Sequence, residues 1–141
     1  MRPWTAHSSY EFAKQFIPGE DTVCVSLFEG TPELSTNYLD SIHLKVADIL
    51  PGRGELDGYK LFNEQHAAEL ANFLTKHRGR HIFVHCAAGI SRSAAVIEVI
   101  LEAFPEYRDR GHNLSGLPLK FPNVHIKALL KRAMGLIPIG G

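Results

Sequence analysis

Apolar runs of strand length alternate along the chain with longer stretches in which apolar residues recur at three and four. The first run, "TVCVSLF" (22–28), is rich in β-formers and reads as a buried strand that opens the fold. "EGTPELSTN" (29–37) is turn-rich and reads as loop. "SIHLKVADI" (41–49) alternates in part, with Ile42, Leu44 and Val46 on one face, and predicts a second strand. "LPGRGELDG" (50–58) carries Pro51 and three glycines and predicts irregular chain. Over 61–77 the residues Phe62, His66, Leu70, Phe73, Leu74 and His77 fall at helical spacing, and Gly79 suits the position past the last turn. "HIFVH" (81–85) predicts a third strand, and "SRSAAVIEVILEAF" (91–104) an apolar helix stopped by Pro105. "EYRDRGHNLSGLPLK" (106–120) is polar and reads as loop. "PNVHIKALLKRAM" (122–134) predicts an amphipathic helix capped by Asn123, and "GLIPIGG" a loose tail. Strands alternating with helices predict an α/β fold: a single compact domain over 1–141, with a mainly parallel central sheet flanked by helices.

Composition narrows the function classes without choosing among them. The chain has 141 residues, enough for one core, with 45% hydrophobic and 21% charged residues. Fifteen basic residues balance 15 acidic ones, so nothing points to nucleic acid or a membrane surface as partner. No apolar run approaches the ~20 residues that span a bilayer. "MRPWTAHSSYEF" lacks the apolar stretch of a secretory signal. The two cysteines, Cys24 and Cys86, form neither a zinc pattern nor a disulfide framework, and a reduced, cytoplasmic setting is expected. Cys24, inside "TVCVS", reads as a small buried hydrophobe. His43, His66, His77 and His125 show no metal spacing. No metal or organic cofactor is expected, and the oligomeric state is left open.

The chemistry lies in "FVHCAAGISRSAAV" (83–96). Its layout is strand, tight loop, helix. In a parallel sheet, ligands bind in the crevice at the carboxyl ends of the strands. The helix that follows aims its unpaired N–H groups and its dipole at that crevice, which favours an anion. Ala87, Ala88 and Gly89 are small enough for close approach of the backbone, and the amides of 87–92 are suited to form a nest for phosphate oxygens. Arg92 supplies a planar fork of donors for two oxygens. Cys86 sits among these groups, and cysteines so placed have pKa values of about 3.5–7.5 against about 8.5 when free. A thiolate beneath a bound phosphorus is an activated nucleophile.

"HCAAGISRS" resembles the His-Cys-five-residues-Arg-Ser/Thr signature of the cysteine-dependent protein tyrosine phosphatases, and the short chain is similar to the compact dual-specificity branch with its small bacterial and phage members. The resemblance implies a phosphocysteine intermediate on Cys86, with Arg92 holding the phosphoryl group. Ala87, Ala88, Gly89, Ile90 and Ser91 would line the phosphate site. Ser93 would donate a hydrogen bond to the departing sulfur, and His85 would orient the loop and stabilise the thiolate. It also implies a general acid, an Asp on a loop tens of residues before the cysteine. Asp48, in "HLKVADILPG", leaves a predicted strand and is favoured over Asp57, in "GELDGYK", which is flanked by turn signals.

Several further residues have two readings. Asn123 is either a helix cap or a late residue that reaches the site. Arg53, Arg108 and Arg110 are either solvated loop charges or a basic rim. Trp4 and Tyr10 are either an aromatic pocket wall or core anchors. Ser91 reads as structural support. The loop carries no lysine, which favours a single phosphomonoester over polyphosphorylated inositol lipids. The expected partner is a phosphorylated protein or peptide carrying phosphotyrosine, with phosphoserine and phosphothreonine as further substrates. The rival reading is a non-catalytic module that binds phosphopeptides without turnover. Sulfur transfer and arsenate reduction rank lower, because their cysteine loops differ in length or position.

Overall fold

The structure, a computed structural model, describes residues 2–52, 60–117 and 120–136. Along the chain run β1 (Trp4–Ser8), α1 (Tyr10–Gln15), β2 (Thr22–Leu27), β3 (Asp40–Leu44), α2 (Glu64–Lys76), β4 (His81–His85), α3 (Arg92–Ala103), β5 (Arg108–His112) and α4 (Val124–Ala133). The strands form one sheet in the order β3-β2-β4-β1-β5, and every pairing is parallel. The α/β class and the parallel sheet follow the alternation of strand and helix patterns in the sequence.

The period of two in the strands sorts side chains to the two faces of the sheet. Val23, Val25, Leu27, Ile82 and Val84 pack on one face with Leu70 and Leu74 of α2, Val96, Ile97 and Ile100 of α3, and Ile126 and Leu130 of α4. The other face carries Trp4, Ala6, Cys24 and Phe83 beneath Phe12 and Ala13 of α1 and Phe16 just past its end. Local signals fix the helix starts. Ser9 accepts from the Phe12 amide, Asn63 forms a reciprocal capping box with His66, and Asn123 accepts from the Ile126 amide.

Two strands lie where none is predicted. The first run, 22–28, does not open the sheet; β1 precedes it and sits between β4 and β5. Thr5, His7 and Ser8 make β1 look like surface, yet all three are fully buried. Thr5 Oγ1 donates to the Ile82 carbonyl at 2.9 Å and Ser8 Oγ to the Ser9 carbonyl at 2.9 Å, while His7 pairs through Nδ1 only. The segment 106–120 is not all loop: it contains β5, an edge strand with one buried residue, Gly111, and so no alternation to read. The strand over 41–49 ends early, at Leu44. Val46 and Ala47 are buried off the ladder, the Ala47 amide donating to the Lys60 carbonyl at 2.9 Å. Among the described residues, no helix is long and apolar enough to cross a membrane.

Candidate active site

The topology makes a crevice before any side chain is considered. The connection from β1 runs through α1 on one face to β2, while that from β4 runs through α3 on the other face to β5. Adjacent strands whose connections diverge in this way open a crevice at their carboxyl ends. The end of β4 delivers Cys86 there, and the end of β1 delivers Ser8, Ser9 and Tyr10. The two are tied by the Cys86 amide donating to the Ser8 carbonyl at 3.3 Å.

The loop 86–91 is held by its carbonyls. The Cys86 carbonyl accepts from His85 Nδ1 at 3.1 Å, and the Ala88 carbonyl from His112 Nε2 at 3.4 Å. The Gly89 carbonyl accepts from His7 Nδ1. The amides of Tyr10, Phe121 and Asn123 donate to the carbonyls of Ala87, Ile90 and Ser91 at 2.9, 2.6 and 3.1 Å. In a trans peptide the next N–H points opposite to the carbonyl. Six outward carbonyls therefore turn six amides inward. The Gly89 amide donates to Cys86 Sγ at 3.2 Å. The amides of Ala87, Ala88, Ile90, Ser91 and Arg92 have no hydrogen-bond partner among the described residues. A concave ring of free donors of this kind is complementary to an oxyanion.

Sulfur and guanidinium border the same space. A cavity of about 400 Å³ is lined by Cys86, Ala88, Ile90, Arg92, Asp48 and Phe121, among others. Cys86 is only 2% exposed, and its thiol donates to Ser93 Oγ at 3.3 Å. Arg92 is 4% exposed, and its Nη1 donates to Glu29 and, at 2.9 Å, to the Val46 carbonyl. Its Nε is buried without a partner among the described residues. The guanidinium is thus fixed on one side by a carboxylate and retains an unspent donor, a costly arrangement unless a ligand meets it.

Asp48 stands on the rim of this cavity. Its Oδ1 accepts from Ser91 Oγ at 2.7 Å and from Asn123 Nδ2 at 3.0 Å. Ser91 is the residue that caps α3, and it sends its hydroxyl to Asp48 rather than to the helix amides. Asn123 caps α4 through Oδ1, as one of its readings has it, and its Nδ2 donates to Asp48. A second cavity of about 490 Å³ shares Asp48 and Ser91 and is walled by Ile49, Leu50, Pro122 and Val124. Asp57, the other candidate acid, and Arg53 lie outside the described residues.

His85 works as a neutral donor. Burial pushes its pKa down to about 4, while Nε2 lies 2.7 Å from Ser26 Oγ. It orients the Cys86 carbonyl but brings no positive charge to the sulfur.

No protein-family model, curated protein or solved structure matches the chain.

Trp4, Arg108 and Arg110 are not at the crevice. Trp4 stacks on His81 at 4.9 Å and lies under Arg110, with Arg108 paired to it in register. His81 opens β4 and Cys86 follows its end, so this cluster is about 16 Å away along the strand. Tyr10 packs its ring on Phe28 at 4.4 Å and near His85 at 5.8 Å, accepts from the Glu33 amide, and meets the loop through its backbone amide. The sequence reading missed Glu29, His7, His112 and Phe121. Glu29 sits in a turn-rich stretch 63 positions from Arg92, with no local signal of the contact. Among the described residues, no group of three or more His, Cys, Asp or Glu side chains is placed to hold a metal ion.

Proposed function

We propose that the protein is a cysteine-dependent phosphatase of the protein tyrosine phosphatase superfamily, acting in the cytoplasm on phosphotyrosine, and on phosphoserine and phosphothreonine, in proteins or peptides. The observation that carries this reading is the loop 86–91, with its carbonyls held outward and its free amides gathered over Cys86 Sγ beside the unspent Nε of Arg92.

In this reading a phosphate monoester seats its oxygens on the amides of the loop and on Arg92. Cys86 attacks as the thiolate. An S–P bond forms and the ester P–O bond breaks, the leaving oxygen taking a proton from Asp48. Water then attacks phosphorus and passes a proton to the Asp48 carboxylate. The S–P bond breaks, inorganic phosphate departs, and the thiolate is restored. Ser93, 3.3 Å from the sulfur, donates to it as it leaves. Glu29 and the Val46 carbonyl keep the guanidinium from turning away, so that its stabilisation of the developing charge costs little reorganisation. Ser91 and Asn123 aim the acid.

The deciding experiment mixes the purified protein, under reducing conditions, with p-nitrophenyl phosphate and with a phosphotyrosine peptide, beside Cys86→Ser. Turnover that the substitution abolishes is expected. Equal turnover by both proteins, or peptide binding with no turnover by the wild type, overturns the reading; the latter is the outcome of a binding module.

A further inference from the structure

The elements that hold the loop are not alike. Four of the seven donors to its carbonyls are backbone amides, and three are imidazoles: His85, His112 and His7. His7 is the one donated by a neighbouring strand from full burial. Its strand end is wedged against the loop: a Cβ on Gly89 would lie 2.3 Å from the Ser8 carbonyl carbon.

We infer that His7 is a positioning residue of this site: its Nδ1–H pins the Gly89 carbonyl outward, which turns the Ile90 amide toward the oxyanion seated over Cys86. The inference rests on the reading of the loop as an oxyanion cup. Two features fix the state of the ring. The Gly89 carbonyl only accepts, so Nδ1 must carry the proton. Nε2 is buried with no partner among the described residues, so a proton there would be an orphaned donor. The neutral Nδ1–H tautomer is therefore the form the fold accommodates. Burial also holds the His7 pKa below its usual value. The nearest titratable neighbour is His112, edge-on at 5.3 Å, and the Asp109–Lys120 ion pair lies beyond. His112 in turn fastens the adjacent Ala88 carbonyl. Two imidazoles in edge contact, from β1 and β5, thus orient two successive peptides. The first of these puts the Gly89 amide on Cys86 Sγ.

The test titrates tungstate, as the oxyanion probe, into the wild type, His7→Leu and His7→Asn by calorimetry. Asn places a side-chain N–H where Nδ1–H stands; Leu does not. Loss of one ordered hydrogen bond predicts about ten-fold weaker tungstate binding by His7→Leu, with His7→Asn within about three-fold of the wild type. Leu binding as tightly as the wild type overturns the role of His7 while leaving the cup intact. Asn binding as weakly as Leu shows that the donor is not what matters, and also overturns it. A wild type that holds no tungstate removes the cup and the inference together. Because His7→Leu is a buried change that can cost the fold, ring nitrogen spectra of the 15N-labelled wild type decide independently. The expected signature is a proton on Nδ1 and an Nδ1 resonance that moves when tungstate is added. A proton on Nε2, or an unmoved resonance, sinks the proposal.

Discussion

Gly89 has no room for a side chain and a backbone that resists one. Its φ is +80°, and a Cβ would overlap the Ser8 carbonyl carbon, the Ser9 nitrogen and the Ser8 oxygen. Gly89→Ala is expected to cost about 1–3 kcal/mol of stability through strain. Phosphatase activity should fall further than stability, because the strain lands on the peptides that face Cys86. Denaturation midpoints and turnover on one preparation check this, and equal activity of the variant would count against the loop geometry. Asp48→Asn keeps the contacts from Ser91 but cannot donate a carboxylic proton. It is expected to lower kcat by about 10²–10⁴-fold and to flatten the pH profile. If Asp57→Asn does this and Asp48→Asn does not, the acid is misassigned. At this scale the sequence is readable where function compresses into consecutive residues. Cys86, Gly89, Arg92 and Ser93 fall within one loop and helix start, so their chemistry shows in the string. Glu29 and His7 reach the same place from distant segments, and nothing local marks them.

At the scale of elements, legibility follows burial pattern. "HIFVH" became β4 over 81–85, and the helices over 61–77, 91–104 and 122–134 appear with shortened ends. Their apolar residues face one core, so period and position agree. β1 hides because polar Thr5, His7 and Ser8 are buried as fully as core residues, and β5 because an edge strand with charged residues buries almost nothing. The junction of α4 with the acid loop makes its own prediction. Asn123→Ala removes the cap on Ile126 and the donor to Asp48 at once. About 1 kcal/mol of stability should go with the cap. Turnover should fall with kcat rather than KM, since the acid loses its aim while the oxyanion donors stay. A rise in KM alone would separate Asn123 from the acid.

For the molecule as a whole, burial of histidine sets an acid limit. The folded-state pKa of His85, about 4, lies below the unfolded 6.5. Below about pH 6.5 the unfolded chain therefore takes up the proton first, and stability is lost as pH falls toward about 4. The difference amounts to about 3 kcal/mol, and His7 acts in the same direction. Urea midpoints between pH 7.5 and 4.5 should fall through this window; a flat curve would contradict the buried, neutral imidazole. The two cysteines belong to opposite faces of the sheet. Cys24 is in register with Phe83, three residues short of Cys86 on the next strand, which sets their Cα atoms about 11 Å apart. A disulfide needs less than about 7 Å. Peptide maps of peroxide-treated protein should show no Cys24–Cys86 bridge, and Cys24→Ser should leave the rate of peroxide inactivation unchanged. The loop at the crevice is fastened by groups from His7 to Asn123. A chain emerging from the ribosome therefore makes its cysteine and arginine before His112, Phe121 and Asn123, which complete the fastening. On the phosphatase reading, sulfur and guanidinium are made before residue 123 completes their fastening, so chains cut short of it are expected to hydrolyse no phosphate ester.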